Sequence, residues 1–136
     1  MNTKKAVLKV LLLFIFSIVS CNEKSELMTE ENNEKNLIVL VEYDIQTTKS
    51  NDAIAGLTEL IEKVTKEPHF VSIKLHTDLE DNSKILLYEV WSDVTYYNTA
   101  HMQTEHLQKF IKDSKTFLAG PPNISQWKIE KEFKYE

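Results

Sequence analysis

The order of two strand-like runs around a helical segment limits the folds open to this chain. The runs are LIVLVEYDI at residues 37–45 and KILLYEVW at residues 84–91, and their length and alternation predict strands that are buried mainly on one face. Cap-forming residues at 50–52 precede a segment, ending near Lys66 and closed by Pro68, in which apolar side chains recur at helical spacing. These are Ile54, Leu57, Leu60, Ile61 and Val64.

The remaining segments complete the pattern. Residues 70–76 alternate between apolar and polar side chains, and the polar turn at 78–83 predicts a hairpin with the strand that follows. From the cap signal at Ser92-Asp93 to Leu118 the chain has helical character, with a second possible cap at Thr104. Gly120-Pro121-Pro122 ends this segment, and residues 124–133 predict a last strand.

The order β-α-β-β-α-β predicts an α+β, ferredoxin-like domain with an antiparallel sheet and both helices on one face. The face without helices then needs a cover, and a second copy of the same sheet is the commonest one. We therefore expect a homodimer.

The first 20 residues resemble a bacterial lipoprotein signal peptide. Lys4, Lys5 and Lys9 form a basic region, the apolar run 10–19 is too short to span a membrane comfortably, and Cys21 follows it as in a lipobox. We expect lipid attachment at Cys21; the alternative is an uncleaved N-terminal anchor. Either form predicts a membrane-anchored protein of the cell envelope, outside the cytoplasm.

Residues 22–36 are rich in Glu, Asn and Lys, which predicts a flexible tether, or alternatively an acidic sorting signal. The predicted organisation is thus a signal peptide at 1–20, a lipidated cysteine and tether at 21–36, and one domain at 37–136.

Composition excludes several classes of function. All 21 acidic residues follow Cys21, and the chain has no arginine, which argues against a nucleic-acid partner. Cys21 is the only cysteine, so neither an internal disulfide nor a cysteine-based metal site is possible.

Four side chains are candidates for chemistry. Glu89 and Trp91 share one face of the second run, because side chains alternate along a strand. His101 and His106 follow, five residues apart. A metal pair on a helix prefers a spacing of four, so no metal site is predicted.

The run LLYEVWSDVTYYNTAHMQTEHLQKF resembles the core signature of the antibiotic biosynthesis monooxygenase family, in which a Tyr-Glu-x-Trp strand leads to two histidines in an H-x4-H arrangement. The segments EPHF at 67–70 and AGPP at 119–122 are also similar to family segments. The resemblance covers residues 37–133. It implies a dimeric α+β barrel with a pocket between sheet and helices in each subunit.

The family includes oxygenases that act on quinols and aromatic polyketides without metal or flavin, haem-degrading enzymes, and proteins without known activity, so membership does not fix the reaction. Haem degraders use a first-strand asparagine, and the polyketide-oxidising type uses an arginine; both are missing here. The resemblance implies a cofactor-independent monooxygenase of small aromatic or quinol-like molecules and O2. The alternative is a non-catalytic lipoprotein that binds a small hydrophobic ligand or haem.

The hypothesis for the site follows from the matched positions. His101 or His106 acts as the base that deprotonates a phenol or quinol, and Glu89 orients it. Trp91 forms an aromatic wall, with Tyr97 as a further substrate-binding residue. Core packing of Trp91 and a structural Glu89–histidine pair are the alternatives.

Overall fold

The computed structural model describes residues 36–135. The predicted signal peptide, Cys21 and all of the predicted tether except the buried Asn36 lie outside these residues. The domain contains four strands: β1 (Leu37–Asp44), β2 (Phe70–Thr77), β3 (Lys84–Trp91) and β4 (Asn123–Lys128). It also contains three α-helices and two 3-10 turns: α1 (Ser50–Val64), α2 (Val94–Asn98), α3 (Glu105–Asp113), and the turns His101–Gln103 and Ser114–Thr116.

The four strands form one antiparallel sheet in the order β2-β3-β1-β4. With the helices between them, this confirms the predicted ferredoxin-like α+β fold. The sheet of the single chain is open, with β2 and β4 at its edges, and is not a closed barrel. A barrel of two chains stays a prediction.

The core lies between the sheet and the helices. Alternate side chains of β1 and β3 point to this side, and α1 places Leu57 and Val64, both almost fully buried, against them. A Cβ on Gly56 would lie 3.1 Å from the ring of Phe117, so the absent side chain lets the two segments approach closely. The core strands contribute Val39, Val41, Tyr43, Ile85, Leu87 and Trp91.

The main differences from the predicted boundaries lie at the start of α1, in the second helical segment and at the end of β4. Helix α1 begins at Ser50 itself and has no side-chain cap, since Lys49 occupies the N-cap position. The second helical segment is divided near Thr104, where a second cap was predicted, into α2, a 3-10 turn and α3; Thr104 is extended but makes no side-chain cap hydrogen bond. Strand β4 ends at Lys128, five residues before the predicted end, because its partner β1 pairs only this far.

Candidate active site

The break between α2 and α3 positions the two histidines. Asp93 caps α2, its Oδ1 accepting a hydrogen bond of 2.7 Å from the backbone N–H of Tyr96, as its cap signal predicted. The chain then leaves the helix, and the hydroxyl of Thr104 donates to the carbonyl of His101 at 2.9 Å. His101 therefore lies in the 3-10 turn and His106 in the first turn of α3. On one continuous helix these residues would point in different directions; here they converge.

Both histidines contact Glu67. Nδ1 of His101 lies 2.9 Å and 3.1 Å from the two carboxylate oxygens, and Nε2 of His106 is hydrogen-bonded to Oε1. The hydroxyl of Tyr96 donates to Oε2 at 3.1 Å. The Glu67 side chain is 5% exposed and that of His101 7%, whereas that of His106 is 22% exposed. His106 is thus the more accessible of the two candidate bases.

Glu67 is a site residue that the reasoning from sequence did not select. It lies in the connection between α1 and β2, where no periodic pattern marks a side chain as buried. The available signal was its place in the segment EPHF, which was noted for its resemblance to a family segment but given no role.

Aromatic rings enclose His101. Its ring centroid lies 4.6 Å from that of Trp91 and 5.1 Å from that of Tyr97, with the Tyr97 ring nearly parallel. Trp91 has no exposed surface and Tyr97 is buried. The two residues predicted to bind substrate therefore lie against one of the two predicted bases.

Glu89 has different surroundings from those predicted. It is buried, and its Oε2 accepts a hydrogen bond of 3.0 Å from Nε1 of Trp91; the carboxylate that contacts the histidines is Glu67. Burial raises the pKa of Glu89 to about 7, an effect that the Trp91 hydrogen bond opposes and the charge of Glu67 reinforces. Burial, followed by the charge of Glu89, also raises the pKa of Tyr97.

A cleft between α1 and α3 leads to His106. Its cavity volume is about 50 Å³. Lys63 and Lys109 lie at this cleft and pair with Glu59 and Asp113 at 2.7 Å and 2.6 Å. The other lining residues are Gly56, Leu60, Phe110 and Phe117.

No three His, Cys, Asp or Glu side chains among residues 36–135 are grouped so that they could hold a metal ion. No helix in this part of the chain is both long enough and apolar enough to cross a membrane.

The domain matches a known protein family. Residues 36–113 match the family model of antibiotic biosynthesis monooxygenases, and the chain belongs to this family. No curated protein matches the chain.

Solved structures share the fold at low sequence identity. A conserved protein from Methanosarcina mazei Go1 is 16% identical with a TM-score of 0.67, over 73% of this chain and 97% of its own. A Pseudomonas aeruginosa protein is 19% identical with a TM-score of 0.66, over 73% and 98%. A structure described as an antibiotic biosynthesis monooxygenase is 20% identical with a TM-score of 0.64, over 70% and 99%.

Proposed function

We propose that the protein is a cofactor-independent monooxygenase that acts on a small aromatic or quinol-like molecule. The observation that carries the proposal is the meeting of two imidazoles on the buried carboxylate of Glu67, beside the indole of Trp91. The imidazoles are the candidate bases, and the indole, which has no exposed surface, packs against the ring of His101. Of the two histidines, His106 is the one that lines the cleft.

The proposed reaction requires two things of the protein: a base, and a site from which bulk water is excluded. His101 or His106 takes the proton of a phenolic hydroxyl, and the resulting anion passes one electron to O2. The two radicals combine to form a carbon–oxygen bond, giving a peroxide. Loss of water from the peroxide leaves one oxygen atom in the product as a carbonyl, and the abstracted proton returns in that water. The aromatic side chains around His101 keep bulk water from the intermediate.

The test is oxygen uptake by the purified protein with reduced menadione and with a hydroxy-anthrone, with a chelator and superoxide dismutase to suppress autoxidation. We expect uptake above the rate without protein, and its loss when both His101 and His106 are replaced by alanine. The matched control replaces the exposed His76 on β2. Tight binding of these compounds without uptake would instead support the ligand-binding alternative, and unchanged turnover in the double alanine variant would refute the histidines as bases.

We also propose that two copies associate through the face of the sheet that carries no helix. Leu40 on β1 and Val90 on β3 are partly buried on this face, and Trp127 on β4 is 57% exposed. Lysine in place of Val90 is expected to halve the mass measured by light scattering. Glu80→Lys, in the exposed β2–β3 turn, is the control, and a monomeric parent protein would refute the proposal.

The envelope location is likewise a proposal, supported by the basic region, the short apolar run and Cys21. We expect labelled palmitate to be incorporated into the protein in cells, and Cys21→Ser to abolish incorporation and release the protein from membranes. Label retained in Cys21→Ser would contradict lipidation at this cysteine.

A further inference from the structure

The connection between α1 and β2 fixes the position of Glu67. The backbone N–H of Glu67 donates to the carbonyl of Val64 at 2.9 Å, and Pro68 then prevents the helix from continuing. His69 adopts a φ of 65°, a left-handed conformation that reverses the chain, and its carbonyl accepts from the N–H of Ser92 at 2.9 Å. The connection is thus tied to the end of β3, and the Glu67 side chain is held in the interior.

Three donors from three separate segments surround this carboxylate: Tyr96 on α2, His101 in the 3-10 turn and His106 on α3. A buried carboxylate is costly unless such donors compensate for its lost hydration. The exposed fraction of 5% shows that protein groups supply almost all of this compensation.

The two histidines use different ring nitrogens. His101 faces Glu67 with Nδ1, and His106 faces it with Nε2. A carboxylate can only accept hydrogen bonds, so a neutral imidazole must place its single proton on the nitrogen that faces it. The other nitrogen of each ring then carries a lone pair.

We propose that Glu67 is a positioning residue that holds the two histidines in opposite tautomers, with the proton on Nδ1 of His101 and on Nε2 of His106. The nitrogens able to take a proton from a substrate are then Nε2 of His101 and Nδ1 of His106. This last step rests on the proposed function; the tautomers themselves do not. Tyr96 occupies Oε2 as the third donor and limits rotation of the carboxylate.

Nitrogen-15 NMR of the purified protein at pH 8 tests the proposal, because the two ring nitrogens of each histidine give distinct signals in the two tautomers. We expect opposite tautomers for His101 and His106 in the parent protein. Glu67→Leu removes both acceptor oxygens, so at least one histidine is expected to change its tautomer. Glu62→Gln, which removes a carboxylate from the exposed face of α1, is expected to change neither.

The same variants separate positioning from a merely structural role. If the proposed function holds, Glu67→Leu lowers kcat by on the order of 10²-fold with little change in KM, because the base loses the acceptor that orients it. Absence of oxygen uptake by the parent protein would refute the proposed function and leave the tautomer assignment standing. The same tautomer at both histidines in the parent protein, or unchanged tautomers in a folded Glu67→Leu variant, would overturn the positioning role even if oxygen is consumed.

Discussion

Glutamine in place of Glu89 keeps the shape of this buried side chain and removes its ionisation. Burial raises the pKa of Glu89 from 4.5 to about 7 in the folded protein. Between these two pH values the unfolded chain has lost the proton and the folded protein still holds it. The contribution of Glu89 to stability therefore falls as pH rises from about 4.5 to about 7, and it stays low above that range.

The size of this effect follows from the difference between the two pKa values of Glu89, 4.5 and about 7. At about 1.4 kcal/mol for each pH unit between the two values, ionising Glu89 in the folded protein costs about 3 kcal/mol. A typical domain is stable by only about 5–15 kcal/mol, so the change is measurable. The Trp91 hydrogen bond to the carboxylate is already included, because it lowers the pKa that burial raises.

Urea unfolding of the parent protein and of Glu89→Gln at intervals from pH 4 to pH 8 isolates this contribution. We expect the difference in unfolding free energy to shift by about 3 kcal/mol in favour of the glutamine variant across the range, since the other titrating groups are common to both. The matched control is Glu62→Gln, because an exposed carboxylate has similar surroundings in the folded and unfolded states. A difference between parent and Glu89→Gln that does not vary with pH would refute the reasoning.

Two further predictions concern stability and are measured by urea unfolding. Leu57→Ala, at a fully buried position of α1, is expected to lower the free energy of unfolding by about 3–5 kcal/mol. Leu79→Ala, at a fully exposed position, is the control and is expected to change it by less than about 0.5 kcal/mol. Similar losses at both sites would contradict the described core. Asp93→Ala removes the side-chain oxygen that accepts from the N–H of Tyr96 and is expected to lower the free energy of unfolding by about 1 kcal/mol. Asp93→Asn keeps an acceptor oxygen and is the control. Equal losses in the two variants would show that the negative charge of Asp93, and not its acceptor oxygen, stabilises the helix.

Most of the fold could be predicted because each strand of the sheet core has a recognisable apolar pattern in its own sequence. The predicted bounds of β3 agree with the structure, and Glu89 and Trp91, predicted to share one face of this strand, both lie on its buried face. The end of β4 could not be predicted from its own sequence. Residues 129–133 retain an alternating pattern, but a strand also requires a neighbour, and β1 provides one only as far as Lys128.

The site was predictable only in part, for a physical reason. Helical spacing places His101 and His106 on different sides of a continuous helix, and only the break before Thr104 lets them meet. Glu67 is buried by a chain reversal at His69, whose left-handed φ is unusual for a residue other than glycine. Neither the break nor the reversal has a periodic signal, so the partner of the histidines could not be found from spacing.

The two buried glutamates differ in what surrounds them, and this difference bears on the proposed chemistry. Glu67 accepts hydrogen bonds from three side chains, whereas Glu89 accepts one from Trp91, and burial raises the pKa of Glu89 to about 7. A monooxygenase of the proposed kind must take a proton from a phenol and return one to a peroxide. Glu89, protonated below about pH 7, is an acid that could serve the second task. Glu89→Gln should then slow oxygen uptake below pH 7 while leaving substrate affinity unchanged; full activity there would assign Glu89 to the core alone.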